Sequence, residues 1–221
     1  MVIDILKVIR NSLSPRLESI LKGKSESEKE NMVAMFEKHT SILAEFVQNE
    51  YFKKGVLNVG FFRQFHTLFY PVGYSIKAVG NDGIEVENLP GEWRKQFFSF
   101  RIMNFTDCKN IPRDLEKLIT EFNAIQRVSR EDILRFYIEF GQVHPFGDSN
   151  GTISAVLADV QCAVYGFKPF KYLHIRFRDK PFLFHTIELY ARDSSMNGLT
   201  KILDEIDSFH SSQDYSTLPK W

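Results

Sequence analysis

Residues 143–154 read VHPFGDSNGTIS. A histidine, two glycines, an aspartate, an asparagine and a helix-breaking proline share these twelve positions, and both flanks are helical in pattern. Upstream, Ile133, Phe136, Tyr137 and Phe140 fall at i, i+3, i+4 and i+7, the stripe of a helix that buries one face. Ser129 stands as its N-cap, with Asp132 three residues on where a Glu is more usual. Downstream, Ile153, Val156, Leu157, Val160 and Val164 repeat the spacing up to Gly166, with Pro169 just beyond. The spacing predicts helices over 130–143 and 152–165 that meet at HPFGDSNG. The stretch is either a turn between two helices or a site built to hold a phosphate.

The residue types favour the site. A helix N-terminus carries unpaired N–H groups and partial positive charge, and a small-residue loop in front of it makes an anion site. Asp148 offers a hard oxygen ligand for the Mg²⁺ that accompanies phosphate oxygens. His144 is placed to take a proton from an attacking hydroxyl near neutral pH. Phe146, between them, is expected to anchor the loop in the core.

Outward from this stretch, the pattern is mostly helical. Short amphipathic spacing covers 2–10, a charged segment covers 22–31, and helical spacing returns over 31–52 and 59–69, ended by Pro71. Residues 72–87 alternate on either side of Gly80-Asn81-Asp82-Gly83, which reads as a β-hairpin and is the one good strand signal in the chain. Helices follow over 112–125, with Pro112 near the start, 181–191 and 198–209; the tail 211–221 looks irregular. The fold class expected is mainly α: a helical bundle with an upstream hairpin. The 21 phenylalanines point to an aromatic core.

Composition narrows the function classes. The chain has 28 basic and 28 acidic side chains, so no global field draws it to nucleic acid or to an anionic membrane. Cys108 and Cys162 form no CxxC pair, which suits a reducing compartment, and the N-terminus lacks the apolar core of a signal peptide. A cytoplasmic location with no membrane span is the expectation. His39, His66, His174, His185 and His210 show no metal-site spacing and read as structural or surface residues.

The opening stretch resembles the signature of the Fic/Doc (Fido) family, His-Pro-Phe-x-Asp/Glu-Gly-Asn-Gly-Arg-x-x-Arg. It matches at His144, Pro145, Phe146, Asp148, Asn150 and Gly151. In that family two helices flank the loop and a β-hairpin flap lies upstream. The likeness covers roughly 60–205 in layout and is sharp in 143–151. It implies one Fic-like domain over 1–221, with an N-terminal helical segment (1–58), a core (59–210) and a tail (211–221). It also implies a nucleotidyltransferase that attaches the AMP part of ATP to a Ser, Thr or Tyr hydroxyl of a target protein. On this resemblance His144 is the general base and Asp148 the Mg²⁺ ligand. Ser149, Asn150, Gly151 and Thr152 surround the phosphate, and Gly73, Tyr74, Ser75 and Ile76 of the flap hold the target by strand addition.

The sequence departs from the signature in three places. Ser149 stands where the family usually has Gly, Thr152 replaces the first arginine and Ala155 the second. Two lost charge-assisted contacts weigh roughly 1.5–3 kcal/mol each. Three readings follow: the donor is another nucleotide, such as a CDP-linked one; Lys168, Lys171 or Arg192 substitutes; or the domain is a weak catalyst that binds a nucleotide or a protein partner. Many relatives also carry an inhibitory Ser/Thr-x-x-x-Glu helix. Ser14 and Glu18 in SPRLES come close, but the arginine such a Glu pairs with is Ala155 here, and Glu18 reads as surface charge.

Overall fold

The computed structural model describes residues 3–52, 56–97, 99–100, 103–171, 176–177 and 180–212. Eight α-helices dominate these residues: α1 (Ile5–Leu21), α2 (Glu26–Val47), α3 (Val59–Thr67), α4 (Ile111–Asn123), α5 (Arg130–Val143), α6 (Asn150–Tyr165), α7 (Phe182–Arg192) and α8 (Met196–Ser212). The antiparallel hairpin is β1 (Ile76–Val79) with β2 (Glu85–Asn88), in the register Ile76↔Asn88. Two further two-residue pairs are present, β3 (Ser99–Phe100) with β4 (Met103–Asn104), and β5 (Arg176–Phe177) with β6 (Lys180–Pro181). Two residues cannot display a period of two, so these pairs leave no pattern in the sequence.

The middle of the bundle is α5 against α6. α5 also packs on α4, α7 and α8, and α6 on α1. From Ile153 to Cys162 every residue of α6 is buried, so it is a central helix rather than an amphipathic one. The expected aromatic core is present: Phe62, Phe65, Phe136, Phe140, Phe146 and Phe170 are fully buried. Phe62 brings α3 onto α5, with ring centroids 5.2 Å from Phe140 and 6.0 Å from Phe136. The Ser129–Asp132 capping box forms as read, and Gly166 takes the left-handed conformation (φ 76°) that ends α6.

Several boundaries correct the sequence reading. α1 runs to Leu21, straight through Pro15, where the spacing suggested a helix of 2–10. A proline has no N–H for the carbonyl four residues back. That carbonyl belongs to Asn11, and the Ser14 hydroxyl donates to it instead at 3.1 Å. Ile5, Ile9, Leu13 and Leu17 then bury one continuous face. The charged segment 22–31, by sequence a loop or the exposed start of the next helix, is in part the start of α2, as that reading allowed, closed by a reciprocal Ser25–Glu28 capping box. Glu18 is not simple surface charge: it is half-buried, and its Oε1 is shut away from water with no hydrogen-bond partner among the described residues. Of the expected tail, 211–212 belong to α8 and 213–221 lie outside the described residues.

The central helix also carries a buried charge that periodicity did not single out. Asp159 Oδ1 accepts the N–H groups of Phe170 (2.8 Å) and Lys171 (3.0 Å), while Oδ2 accepts the Ser12 hydroxyl. Burial pushes its carboxyl up despite these donors. This knot ties α1 and the chain after α6 to one point of the core.

Candidate functional site

α5 delivers His144 and α6 delivers the helix N-terminus. α6 begins at Asn150, two residues earlier than the spacing suggested, so Ser149 is its N-cap and Asn150, Gly151 and Thr152 form its first turn. Ser149 has φ 59° and ψ 8°, a left-handed conformation that glycine adopts freely and serine at a cost. In that conformation its hydroxyl makes no cap bond to α6. The hydroxyl instead lies 2.8 Å from the Tyr70 hydroxyl, which is also 3.4 Å from Asp148 Oδ2. The N-terminal N–H groups of α6 therefore receive no side-chain cap from Ser149, which is the state an anion site requires.

The loop backbone is held on several sides. Asn150 is buried, and its amide bridges both ends of Phe146: Oδ1 accepts the Phe146 N–H at 2.9 Å and Nδ2 donates to its carbonyl at 2.8 Å. The Asn150 side chain is thus spent on the loop, leaving its backbone N–H for a ligand. Phe146 is fully buried, stacked 4.0 Å from His66 and 5.5 Å from Trp93, the anchor expected of it. His66 accepts the Gly91 N–H at Nδ1 (2.8 Å), so its proton sits on Nε2, which donates to the Asp148 carbonyl at 3.3 Å. Burial lowers the His66 pKa to about 4 and keeps the ring neutral. Gly147 lies against the base of the hairpin: a Cβ there would stand 2.9 Å from Asn88 Nδ2.

His144 caps α5 in the left-handed region (φ 48°, ψ 60°) and stacks on Phe105 with centroids 4.3 Å apart. Its pKa falls to about 4, first through burial and then through the nearby Arg94 charge; a hydrogen bond to the Gly141 backbone and the Asp148 carboxylate act the other way. This is well below the near-neutral value expected from sequence. The neutral ring carries one N–H and one lone pair.

Asp148 is exposed, with Oδ1 accepting the Ser149 N–H at 2.6 Å. No group of three metal-ligating side chains occurs among the described residues. A single carboxylate beside a phosphate site still fits Mg²⁺, which takes one or two protein carboxylates and completes its shell with phosphate oxygens and water.

Other sequence candidates fall elsewhere. Lys168 and Lys171 follow the C-terminus of α6, a helix of 16 residues, so about 24 Å of rise separates them from its N-terminus. Lys168 pairs with Asp207 instead. Ala155 is buried in the core. Gly73, Tyr74 and Ser75 precede the hairpin rather than forming it, and Ile76 opens β1 with its side chain buried. Tyr74 stacks on Tyr70 at 5.3 Å, which brings this segment to the edge of Asp148 and Ser149. His39 packs on Phe69, His185 faces Glu205 and His210 bonds the Phe170 carbonyl, all structural or surface roles; His174 lies outside the described residues. His66, Tyr70, Asn88 and Arg94 reach the loop from 50 or more residues away and carry no local signal.

No family model matches the sequence, and no curated protein matches it significantly. The fold does have a counterpart. The crystal structure of a Fic domain-containing signalling protein from Bacteroides thetaiotaomicron superposes with a TM-score of 0.58 at 18% identity, over 94% of this chain and 82% of that one. The chain therefore has a Fic-like helical fold with a small antiparallel hairpin. No helix among the described residues is long and apolar enough to cross a membrane.

Proposed function

We propose that this chain is a transferase that moves a nucleotidyl or related phosphoryl-containing group from a nucleotide donor to a Ser, Thr or Tyr hydroxyl of a protein target. The observation that carries this reading is the junction of α5 and α6. A neutral histidine stands at the end of one helix, and an N-terminus uncapped by its own serine opens the next. The rigid loop between them presents the Asp148 carboxylate.

In this reading the donor phosphate lies on the N–H groups of Asn150, Gly151 and Thr152. The acceptor hydroxyl gives its proton to His144 as its oxygen forms the new bond to phosphorus, and the donor's bridging oxygen leaves. A ring with a pKa near 4 is in its basic form at pH 7, and an anionic phosphate beside it draws that pKa upward, toward the value best suited to proton transfer. Asp148 would hold Mg²⁺, which supplies charge neutralisation on the phosphates when bound. The segment Gly73–Ile76 and the free edge of the hairpin would contact the target chain.

A binding module of low catalytic power is the second reading. It is favoured by Thr152 and Ala155, which leave out two cations of the Fic signature, and by the distance of Lys168 and Lys171 from the phosphate position.

Mass spectrometry of candidate target proteins incubated with ATP, other nucleoside triphosphates and CDP-linked donors tests both. His144→Ala is expected to lower transfer by roughly 10²–10⁴-fold while the protein stays folded; full activity in that variant removes the mechanism. Thr152→Arg is expected to tighten ATP binding by about 10-fold or more, one regained charge-assisted contact. Nucleotide binding by isothermal titration with no transfer to any target would select the second reading.

A further inference from the structure

α5 ends at Val143, and the chain that leaves it, His144 and Pro145, lies against Arg94. Its Nε donates to the His144 carbonyl at 2.6 Å, and its backbone N–H to the Pro145 carbonyl at 2.9 Å. Nη1 donates to the Gln96 carbonyl at 2.6 Å and lies 3.1 Å from Cys108 Sγ, and Nη2 donates to the Thr106 carbonyl. Arg94 is 1% exposed and heads the fully buried side chains by size. No carboxylate among the described residues pairs with it; nearby Asp107 is bridged to Lys109.

A guanidinium enclosed by neutral acceptors is a costly arrangement. Only a planar fork reaches so many acceptors in different directions; an ammonium does not. One bond of the Arg94 side chain and one of its backbone N–H end on consecutive loop residues. One of those, His144, holds a left-handed conformation that a histidine keeps only when its surroundings impose it.

We propose that Arg94 is the positioning residue for His144: by grasping the carbonyls of His144 and Pro145 from inside the core, it imposes the left-handed turn that sets where the imidazole stands. The proposal deepens the reading of His144 as a base and rests on it for its functional meaning. The charge of Arg94 acts in the same sense, since it opposes protonation of the ring; the other groups facing the ring are the Gly141 carbonyl, the Asp148 carboxylate and the Phe105 face. A small displacement of a catalytic group is enough to cost about 10²-fold in rate.

The test uses imidazole and backbone NMR of the full chain, which reads His144 whether or not transfer occurs. Arg94→Lys keeps the charge and loses the fork. It is expected to shift the His144 Cα and Cβ resonances away from left-handed values, to leave the ring titration low, and to reduce the transfer kcat by about 10-fold or more with donor KM nearly unchanged. Arg94→Met also removes the charge, and the ring titration is expected to rise by about one unit. A folded Arg94→Lys with wild-type His144 resonances and wild-type kcat overturns the proposal, as does a folded Arg94→Met with an unshifted titration. Should neither variant fold, the unmodified protein decides: absence of a through-bond coupling between Arg94 Nε and the His144 carbonyl carbon overturns it. A wild type that transfers nothing, with His144 displaced in Arg94→Lys, removes the catalytic reading and leaves the positioning role. A wild type that transfers, with His144 undisturbed in Arg94→Lys, does the reverse.

Discussion

The loop at 144–150 and the hairpin at 76–88 meet where Asn88 lies against Gly147, and they are built in opposite ways. The loop is held by Arg94, His66 and Asn150, with Phe146 sunk in the aromatic core. The hairpin has four paired residues per strand, and most of its side chains are partly or fully exposed, Val79 and Ile84 among them. Among the described residues its sheet has two strands, and each keeps an edge without a strand neighbour there. Asn88 is its tether: fully buried, it accepts the Lys95 N–H and donates to Gln96 Oε1, and it touches Gly147. In the proposed function, the groups that would hold a reacting phosphate sit on a fixed frame, while the strand that would accept a varied partner keeps its hydrogen-bonding capacity open.

Three measurements would break or sharpen this contrast. Hydrogen exchange carries the largest expected effect. Amides of α6 from Ile153 to Val160 open only with the core, whereas those of the two-stranded hairpin open locally, so the expected difference is about 10³-fold or more in exchange rate. Equal protection in the two regions would mean that the hairpin is as fixed as the loop.

Acid acts next, in part through two rings at the loop. The folded-state pKa values of His66 and His144 lie below the unfolded 6.5. Both rings are then neutral in folded and unfolded chains at high pH, and the unfolded chain binds protons first as the pH falls. Stability is therefore full above pH 6.5 and is lost between 6.5 and about 4. For fully buried His66 the loss is on the order of 3 kcal/mol at about 1.4 kcal/mol per unit. Asp159 opposes it, because a raised carboxyl pKa favours the folded state as the pH falls. Thermal melts from pH 7.5 to 4 are expected to show a falling midpoint; a flat one would place both rings in water.

The smallest effects come from two glycines. Gly147→Ala puts a Cβ within 3.2 Å of three Asn88 side-chain atoms, and such overpacking costs about 1–3 kcal/mol. Gly83→Ala, at the hairpin tip with φ 77°, meets nothing within 4 Å and pays only for its backbone conformation, about 1 kcal/mol. Denaturant melts of the two variants compare them directly, and transfer assays are expected to suffer in the first and not the second. A Gly147→Ala protein as stable as wild type would show that hairpin and loop are not in register through Asn88.

The limits of α5, those of α3 and α4 to within two residues, the Ser129 cap, the Gly166 stop, the hairpin and the burial of Phe146 were legible in the sequence. Each depends on residues within a few positions of one another: apolar spacing, a cap, a proline, a turn. Pro15 misled because the compensation it needs, Ser14 to Asn11, is made by a side chain that periodicity does not see. The start of α6 was missed for a similar reason: Asn150 opens the helix while its amide reaches back to Phe146.

By itself, then, the sequence determined a mainly helical chain, an upstream hairpin and a histidine, an aspartate and a helix N-terminus on one short loop, because local spacing governs all of these. Only the tertiary structure decided that His144 and Ser149 are left-handed, that Arg94 and His66 hold their loop, that Tyr70 takes the serine hydroxyl, and that Lys168 and Lys171 lie at the wrong end of α6. Those facts depend on pairs up to 82 positions apart. Burial and hydrogen bonding between such distant segments are set by how the helices pack, and no local pattern encodes them.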